Sequence, residues 1–237
     1  MNLDDPEVVR EQYATEDGLE ERRSIYQDVE GEDAKEVAFR AIAACRPRKV
    51  LEVGPGPGEL SARSAAEVGA EVVALDVSER MVELARGRGV DARVGDVQSL
   101  PFAAAAFDTV VAAWMLYHVP DLDRGLEEIA RVLAPGGHLV AVTNSELHLE
   151  EARMLAGVSM VGRLPFHRDN GRAILERHFA AVEQIDVDGW VTFPDSEAVR
   201  RYIRSTIAWS ANAPLVPDEV GPVRAGIRVT VFVAQRA

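Results

Sequence analysis

The apolar positions of this chain change their spacing repeatedly between residues 49 and 143. Solid apolar runs over residues 72–75, 110–113 and 139–142 read as strands buried on both faces, the signature of a parallel sheet. Between them apolar residues recur every three or four positions: Met81, Leu84 and Ala85 after Ser78, and Leu126, Ile129 and Leu133 after Asp121 and Asp123. These stretches predict amphipathic helices, one capped by Ser78 and one by either aspartate. Strands are expected over residues 49–53, 71–75, 91–94, 107–113 and 138–143, with helices over 61–68, 78–88 and up to 133 between them. Pro135-Gly136-Gly137 is expected to stop the last of these helices. Further on, residues 182–191 predict a sixth strand, Ser196 caps a helix carrying Val199, Tyr202 and Ile203, and Val229, Val231 and Val233 mark a last strand over 227–235. The sum is an α/β fold, a doubly wound and mostly parallel sheet of seven strands that binds ligands at the carboxyl ends of its strands.

Outside this core the pattern loosens. Residues 1–31 are highly charged, with apolar marks at Val8, Val9, Tyr13, Leu19, Ile25 and Tyr26, and predict an arm of one or two amphipathic helices. The arm either lies solvated or caps a ligand site, with Tyr13 or Arg22 and Arg23 reaching in. Residues 32–45 predict a helix stopped by Arg46-Pro47, with Cys45 as a small buried residue at its end. The expected division is an arm over 1–31 and a domain over 32–237, with a ligand-binding core over 48–143 and, over 144–225, the segments that set specificity. In the last segment residues 154–161 read as a core helix or an adaptable pocket wall, Asp169 and Asn170 as helix caps, and Trp209 as a lining of the site's entrance.

Composition narrows the function. A net charge of −13 argues against nucleic-acid partners, whose phosphates need cationic surfaces. A single cysteine, Cys45, allows no disulfide within one chain and points to a reducing compartment. No basic start with an apolar stretch and no run of membrane-spanning length is present, so a cytoplasmic monomer or homodimer is expected, with no membrane partner. The five histidines have no metal-ligand spacing, and no metal is expected.

The chemistry starts at Glu52-Val-Gly-Pro-Gly-Pro-Gly58, where the first strand breaks into glycines before a helix. Such a turn cradles a ligand against bare main chain and helix N–H groups. It fails the Gly-x-Gly-x-x-Gly register of dinucleotide sites, because Glu59 or Ser61 stands where the last glycine should be, and no lysine follows as in a Walker loop. Glu52 would repel a pyrophosphate and suits a cationic ligand. Asp76, 22 positions after Gly54, closes the second strand and can accept hydrogen bonds from both hydroxyls of a ribose. Asp96 closes the third strand in Val94-Gly-Asp-Val97. Together with Phe107-Asp-Thr-Val-Val-Ala-Ala-Trp-Met-Leu-Tyr-His-Val119 and Pro135-Gly-Gly137, these motifs resemble the class I S-adenosylmethionine-dependent methyltransferases, in register over residues 48–143. Among these the chain is most similar to the small, metal-independent, ubiquinone-methyltransferase-like group.

The resemblance implies the Rossmann-like methyltransferase sheet with an antiparallel last strand, S-adenosylmethionine as cofactor, and a small organic acceptor. It implies a cofactor-binding set of Glu52, Gly54, Gly56, Gly58, Asp76, Val77, Met81, Asp96, Val97, Ala113 and Trp114, with Tyr13 covering it from the arm. Asp96 would receive the adenine amine, and Val97 and Met81 would pack the base. Methyl transfer from a sulfonium needs alignment, exclusion of water, and a base only where the acceptor must lose a proton. His118 is the first candidate base and Tyr117 the residue that orients the acceptor. His118 otherwise serves only to pin its loop, and Trp114 only as core. His167 is a second candidate base; His178 reads as structural, and His148 has no motif around it. Two other readings stay open: a protein that binds the sulfonium without transferring its methyl, and a nicotinamide-dependent oxidoreductase.

Overall fold

A computed structural model describes residues 5–13 and 17–237. Strands β2 (Lys49–Val53), β3 (Glu71–Asp76), β4 (Asp91–Val94), β5 (Phe107–Ala113) and β6 (Leu133–Asn144) run parallel in one sheet. With β1 (Glu30–Gly31), β7 (Ala181–Phe193) and β8 (Val223–Gln235), the order is β1-β7-β8-β6-β5-β2-β3-β4. Strand β8 is antiparallel to both β6 and β7, so β7 runs with the core strands. All seven expected strands are present. The count is corrected by β1, an eighth strand antiparallel to β7, whose two residues are both exposed and leave no apolar pattern to read.

The solid apolar runs have a simple cause. Neighbours on a strand point to opposite faces, and both faces are covered. Val50, Val111 and Val140 pack in the core on one face, beneath α3 (Ala34–Ala44) and α9 (Ser196–Arg204). Leu51, Val110 and Leu139 pack on the other, beneath α6 (Leu122–Val132) and α8 (Arg168–Leu175). The strand order reverses between β2 and β5, so the loops leaving them diverge and open a crevice at the carboxyl edge.

Capping chemistry sets most helix starts. Ser78 accepts from Met81 N at 3.3 Å and opens α5 (Glu79–Gly87); Asp121, not Asp123, accepts from Arg124 N at 3.0 Å and opens α6. Asp195 caps α9 by accepting from Ala198 N at 2.8 Å, where Ser196 was expected. The Ser196 hydroxyl instead donates to the Asp218 carbonyl and accepts from Val220 N. Helix α4 (Glu59–Arg63) begins directly after Gly58 and passes into a π-turn, Ser64–Val68. Helix α6 ends at Val132, ahead of Pro135, because Leu133 already pairs with Phe107 in the sheet. Residues 134–137 then bulge, with Gly136 at φ +74° and its N–H donating to Arg236 O.

Two expectations for residues 144–225 are corrected. Helix α7 (Glu150–Met154) ends where 154–161 was expected to begin, since Gly157 turns the chain at φ +67°. Met154 and Val161 are exposed, and the segment packs inward through Ala156, Val158 and Met160. Trp209 lies in a 3-10 run, Ile207–Leu215, packed against the core beside Tyr202. The described arm consists of α1 (Pro6–Gln12) and α2 (Asp17–Ser24), held to the C-terminal end of α9 by Gln12 and Arg22, which both donate to the Ser205 carbonyl.

Candidate functional site

The turn after β2 holds three glycines with positive φ, +64° at Gly54, +54° at Gly56 and +79° at Gly58. Their surroundings differ. A Cβ on Gly54 would stand 2.7 Å from Met115 Cβ, and one on Gly58 2.7 Å from Ala85 Cβ, so the fold itself packs against both. A Cβ on Gly56 would meet nothing within 4 Å. Gly56 therefore presents bare main chain to open space, the feature a bound ligand needs.

That space is a cavity of about 650 Å³, and three acids from adjacent strand ends line it: Glu52, Asp76 and Asp96. Glu52 is 3% exposed, accepts a hydrogen bond from the Ser61 hydroxyl, and is pushed up to about 7 chiefly by burial. Asp76 accepts from Gly56 N at 3.2 Å and Ser78 N at 2.9 Å; burial still pushes it up to about 6. Asp96 is exposed and caps the Val97–Ser99 turn, accepting from Gln98 N at 2.8 Å and Gln98 Nε2 at 2.9 Å. A carboxylate has about four lone-pair sites, so each acid keeps acceptor capacity for a ligand. Val77, Met81 and Val97 supply apolar wall beside them.

Strand β5 delivers the opposite wall. Ala113 and Trp114 line the cavity, and Trp114 has φ +55°, a conformation rare for a bulky residue. It is held there by its N–H to Val142 O at 2.8 Å and by its indole to Asn144 Oδ1 at 3.1 Å. The turn is followed by Met115, which packs against Gly54, and strain of this kind gathers at functional sites. Tyr117 and His118 line the cavity with their rings in edge contact at 4.5 Å.

The arm lies over this site instead of standing in solvent. Tyr13 Oη is 3.1 Å from His118 Nε2, and the Tyr13 carbonyl accepts from the Ser78 hydroxyl at 3.0 Å. Burial raises the pKa of Tyr13 and of Tyr117, which keeps both phenols protonated. Arg22 also lines the cavity; the side chain of Arg23 lies outside the described residues.

The structure thus brings together every proposed cofactor residue except Gly58, which packs just beneath, and both catalytic candidates. It separates others. His167 caps α8, its Nδ1 accepting from Asp169 N while Asn170 closes a capping box, and it lies away from the cavity, as does Trp209. His178 pairs with Asp123 at 3.0 Å. From residues 144–225 only Asn144 reaches the cavity wall; further lining comes from the arm, from residues 32–36 at the start of α3, from Glu59, Leu60 and Arg63 of α4, and from Ile227 and Val229 of β8. These two apolar residues sit in a strand pattern that signals burial without saying against what. Among the described residues no group of three or more His, Cys, Asp or Glu is placed to hold a metal, and no helix is long and apolar enough to cross a membrane.

Comparison with known proteins agrees with this geometry. The family described as Methyltransferase domain matches residues 51–141. Methyltransferase GfsG of Streptomyces halstedii is 38% identical over 117 residues, 46% of this chain and 42% of that protein. A demethylmenaquinone methyltransferase of Clavibacter sepedonicus is 42% identical over 106 residues, 43% of each chain. The matches thus span less than half of these curated relatives. Among solved structures, Haemonchus contortus phosphoethanolamine N-methyltransferase 2, in complex with phosphomonomethylethanolamine and S-adenosylhomocysteine, shares the fold at a TM-score of 0.65 and 17% identity, over 100% of this chain and 60% of that one. Residues 51–141, which hold Glu52, Gly56, Asp76 and Asp96, are thus similar to the methyltransferase domains of these proteins.

Proposed function

We propose that the protein transfers a methyl group from S-adenosylmethionine to a small organic acceptor, in the cytoplasm, as a monomer or homodimer, without a nucleic-acid partner. The observation that carries this is Gly56, bare toward open space, facing three acids at consecutive strand ends. The cradle fits the cofactor: Asp76 has acceptor sites for ribose hydroxyls, Asp96 for an exocyclic amine, and Glu52 compensates positive charge. Met81 and Val97 give a base its apolar bed. When bound, S-adenosylmethionine supplies a methyl on a cationic sulfur; the S–CH₃ bond breaks, the acceptor–CH₃ bond forms, and sulfur keeps the electron pair as a neutral thioether.

The chain's own work is alignment and exclusion of water. The arm closes the cavity through Tyr13 and Arg22, and Tyr117 faces the space left for the acceptor. Where the acceptor must lose a proton, His118 takes it, with Tyr13 Oη 3.1 Å from Nε2 as the adjoining donor or relay. Oxygen, nitrogen and carbon acceptors are all compatible with this arrangement.

Calorimetric titration tests the reading. S-adenosylmethionine and S-adenosylhomocysteine should bind and NADH should not. Asp96→Ala should weaken both by about tenfold or more, the worth of one charge-assisted hydrogen bond. His118→Ala should bind normally and transfer slowly. Binding of NADH alone would overturn the assignment, and turnover to a non-methylated product would favour a sulfonium-dependent catalyst of another kind.

A further inference from the structure

Four cations line the cavity: Arg10, Arg22, Lys35 and Arg63. Lys35 pairs with Glu59, and Arg63 with Glu36 and Glu67. Arg10 is exposed at the surface. Arg22 is different. It is half-buried, its Cζ stands 6.0 Å from the centre of the Tyr13 ring, and one N–H donates to the Ser205 carbonyl. Among the described residues no carboxylate lies within ion-pairing distance of it, in a chain with 39 acids against 26 lysines and arginines. Tyr13, Tyr26 and Tyr117 line the same cavity, and Arg22 stands against the first of them.

A guanidinium has five N–H donors, and the Ser205 carbonyl uses one. A charge partly withdrawn from water without a counterion is costly, and an anion arriving in the cavity relieves that cost. The planar fork favours two parallel bonds to an anionic oxygen group. The same cavity is lined from the arm and β8 by apolar Leu19, Val29, Ile227 and Val229, with the phenols of Tyr13 and Tyr26 among them. We propose that the acceptor carries an anionic oxygen group, a carboxylate or a phenolate, on an apolar body, and that Arg22 receives that group. The proposal rests on the methyltransferase reading and adds the substrate class to it.

The test is calorimetry on the full chain saturated with S-adenosylhomocysteine. The probes are 2-naphthoate, the neutral 2-naphthamide, and 4-nitrophenolate at pH 8. At least one anion should bind ten times more tightly than the amide, and which one does so identifies the group. Arg22→Gln should bring the ratio of anion to amide affinity to about one, whatever it does to both affinities together, and Arg22→Lys should keep part of the preference. Equal binding of anions and amide by the unaltered protein overturns the proposal, as does a preference that survives in Arg22→Gln. The anion–amide comparison on the unaltered protein decides the matter even if Arg22→Gln fails to fold. Failure of S-adenosylhomocysteine to bind in the first titration would sink the cofactor reading instead; its binding without anion preference sinks only the role of Arg22.

Discussion

Glu52 carries a carboxyl that the fold keeps almost dry, and this has a measurable consequence. Burial raises it from 4.5 to about 7 in the folded chain. A raised acid favours the folded state in its neutral form, so its stabilising share is complete below the unfolded pKa and is lost as pH rises through 7. The loss is on the order of 3 kcal/mol. Asp76, pushed up to about 6, acts in the same direction. Glu52→Gln, neutral at every pH, should therefore melt higher than the parent at pH 8 and close to it at pH 5. Thermal melts of both proteins across that range check this; parallel pH profiles would sink it. A cationic ligand beside Glu52 favours the ionised form, so Glu52→Gln should also bind S-adenosylmethionine more weakly at pH 8. At this scale the sequence is legible wherever the chemistry is local: Gly56, Asp76 and Asp96 lie in short motifs at strand ends. The contact of Tyr13 with His118 joins residues 105 apart, and no spacing rule announces it.

Among the elements, the arm depends most on a few polar contacts. Helix α2 continues through a 3-10 turn to Tyr26, whose Oη is 2.8 Å from Nε2 of His148. His148 is 6% exposed, and its Nδ1 accepts from Arg228 N at 3.0 Å. Burial, with the Arg153 charge adding to it, lowers His148 to about 3, so the ring is neutral, its proton sits on Nε2, and that proton is donated to Tyr26. Tyr26→Phe strands a buried donor, at a cost of about 1–3 kcal/mol. The expected outcome is faster amide hydrogen exchange over residues 17–28, with exchange in β5 and β6 much less changed. Equal protection of the arm in both proteins would show that apolar packing, not this bond, holds it. The sequence foresaw one or two arm helices from their apolar marks but left their docking open, because His148 stands 122 positions from Tyr26 with no motif around it. The capping slip from Ser196 to Asp195 is of the same kind: both residues can cap, and the Asp218 and Val220 contacts that occupy Ser196 come from a distant loop.

For the whole molecule, the core was legible because a two-sided sheet demands solid apolar runs, whereas the cavity's cover was not, because it is assembled from the two ends of the chain. The arm supplies Tyr13 and Arg22, and β8 supplies Ile227 and Val229, so a ligand in the cavity touches the first and the last elements at once. Binding should then stabilise the arm and the sheet together. At a ligand concentration about 100 times the dissociation constant, linkage contributes about 2.7 kcal/mol. For a chain of this size each kcal/mol moves the melting temperature by about 2–4 °C, which gives a rise of about 5–10 °C. Scanning calorimetry with S-adenosylhomocysteine should show that rise in one cooperative transition. Without ligand, the thinly anchored arm should loosen at lower temperature than the sheet, which exchange over residues 17–28 would report. If the arm still loosens at the same temperature when ligand is bound, it does not close the cofactor site, and the contact of Tyr13 with His118 has no part in holding the ligand.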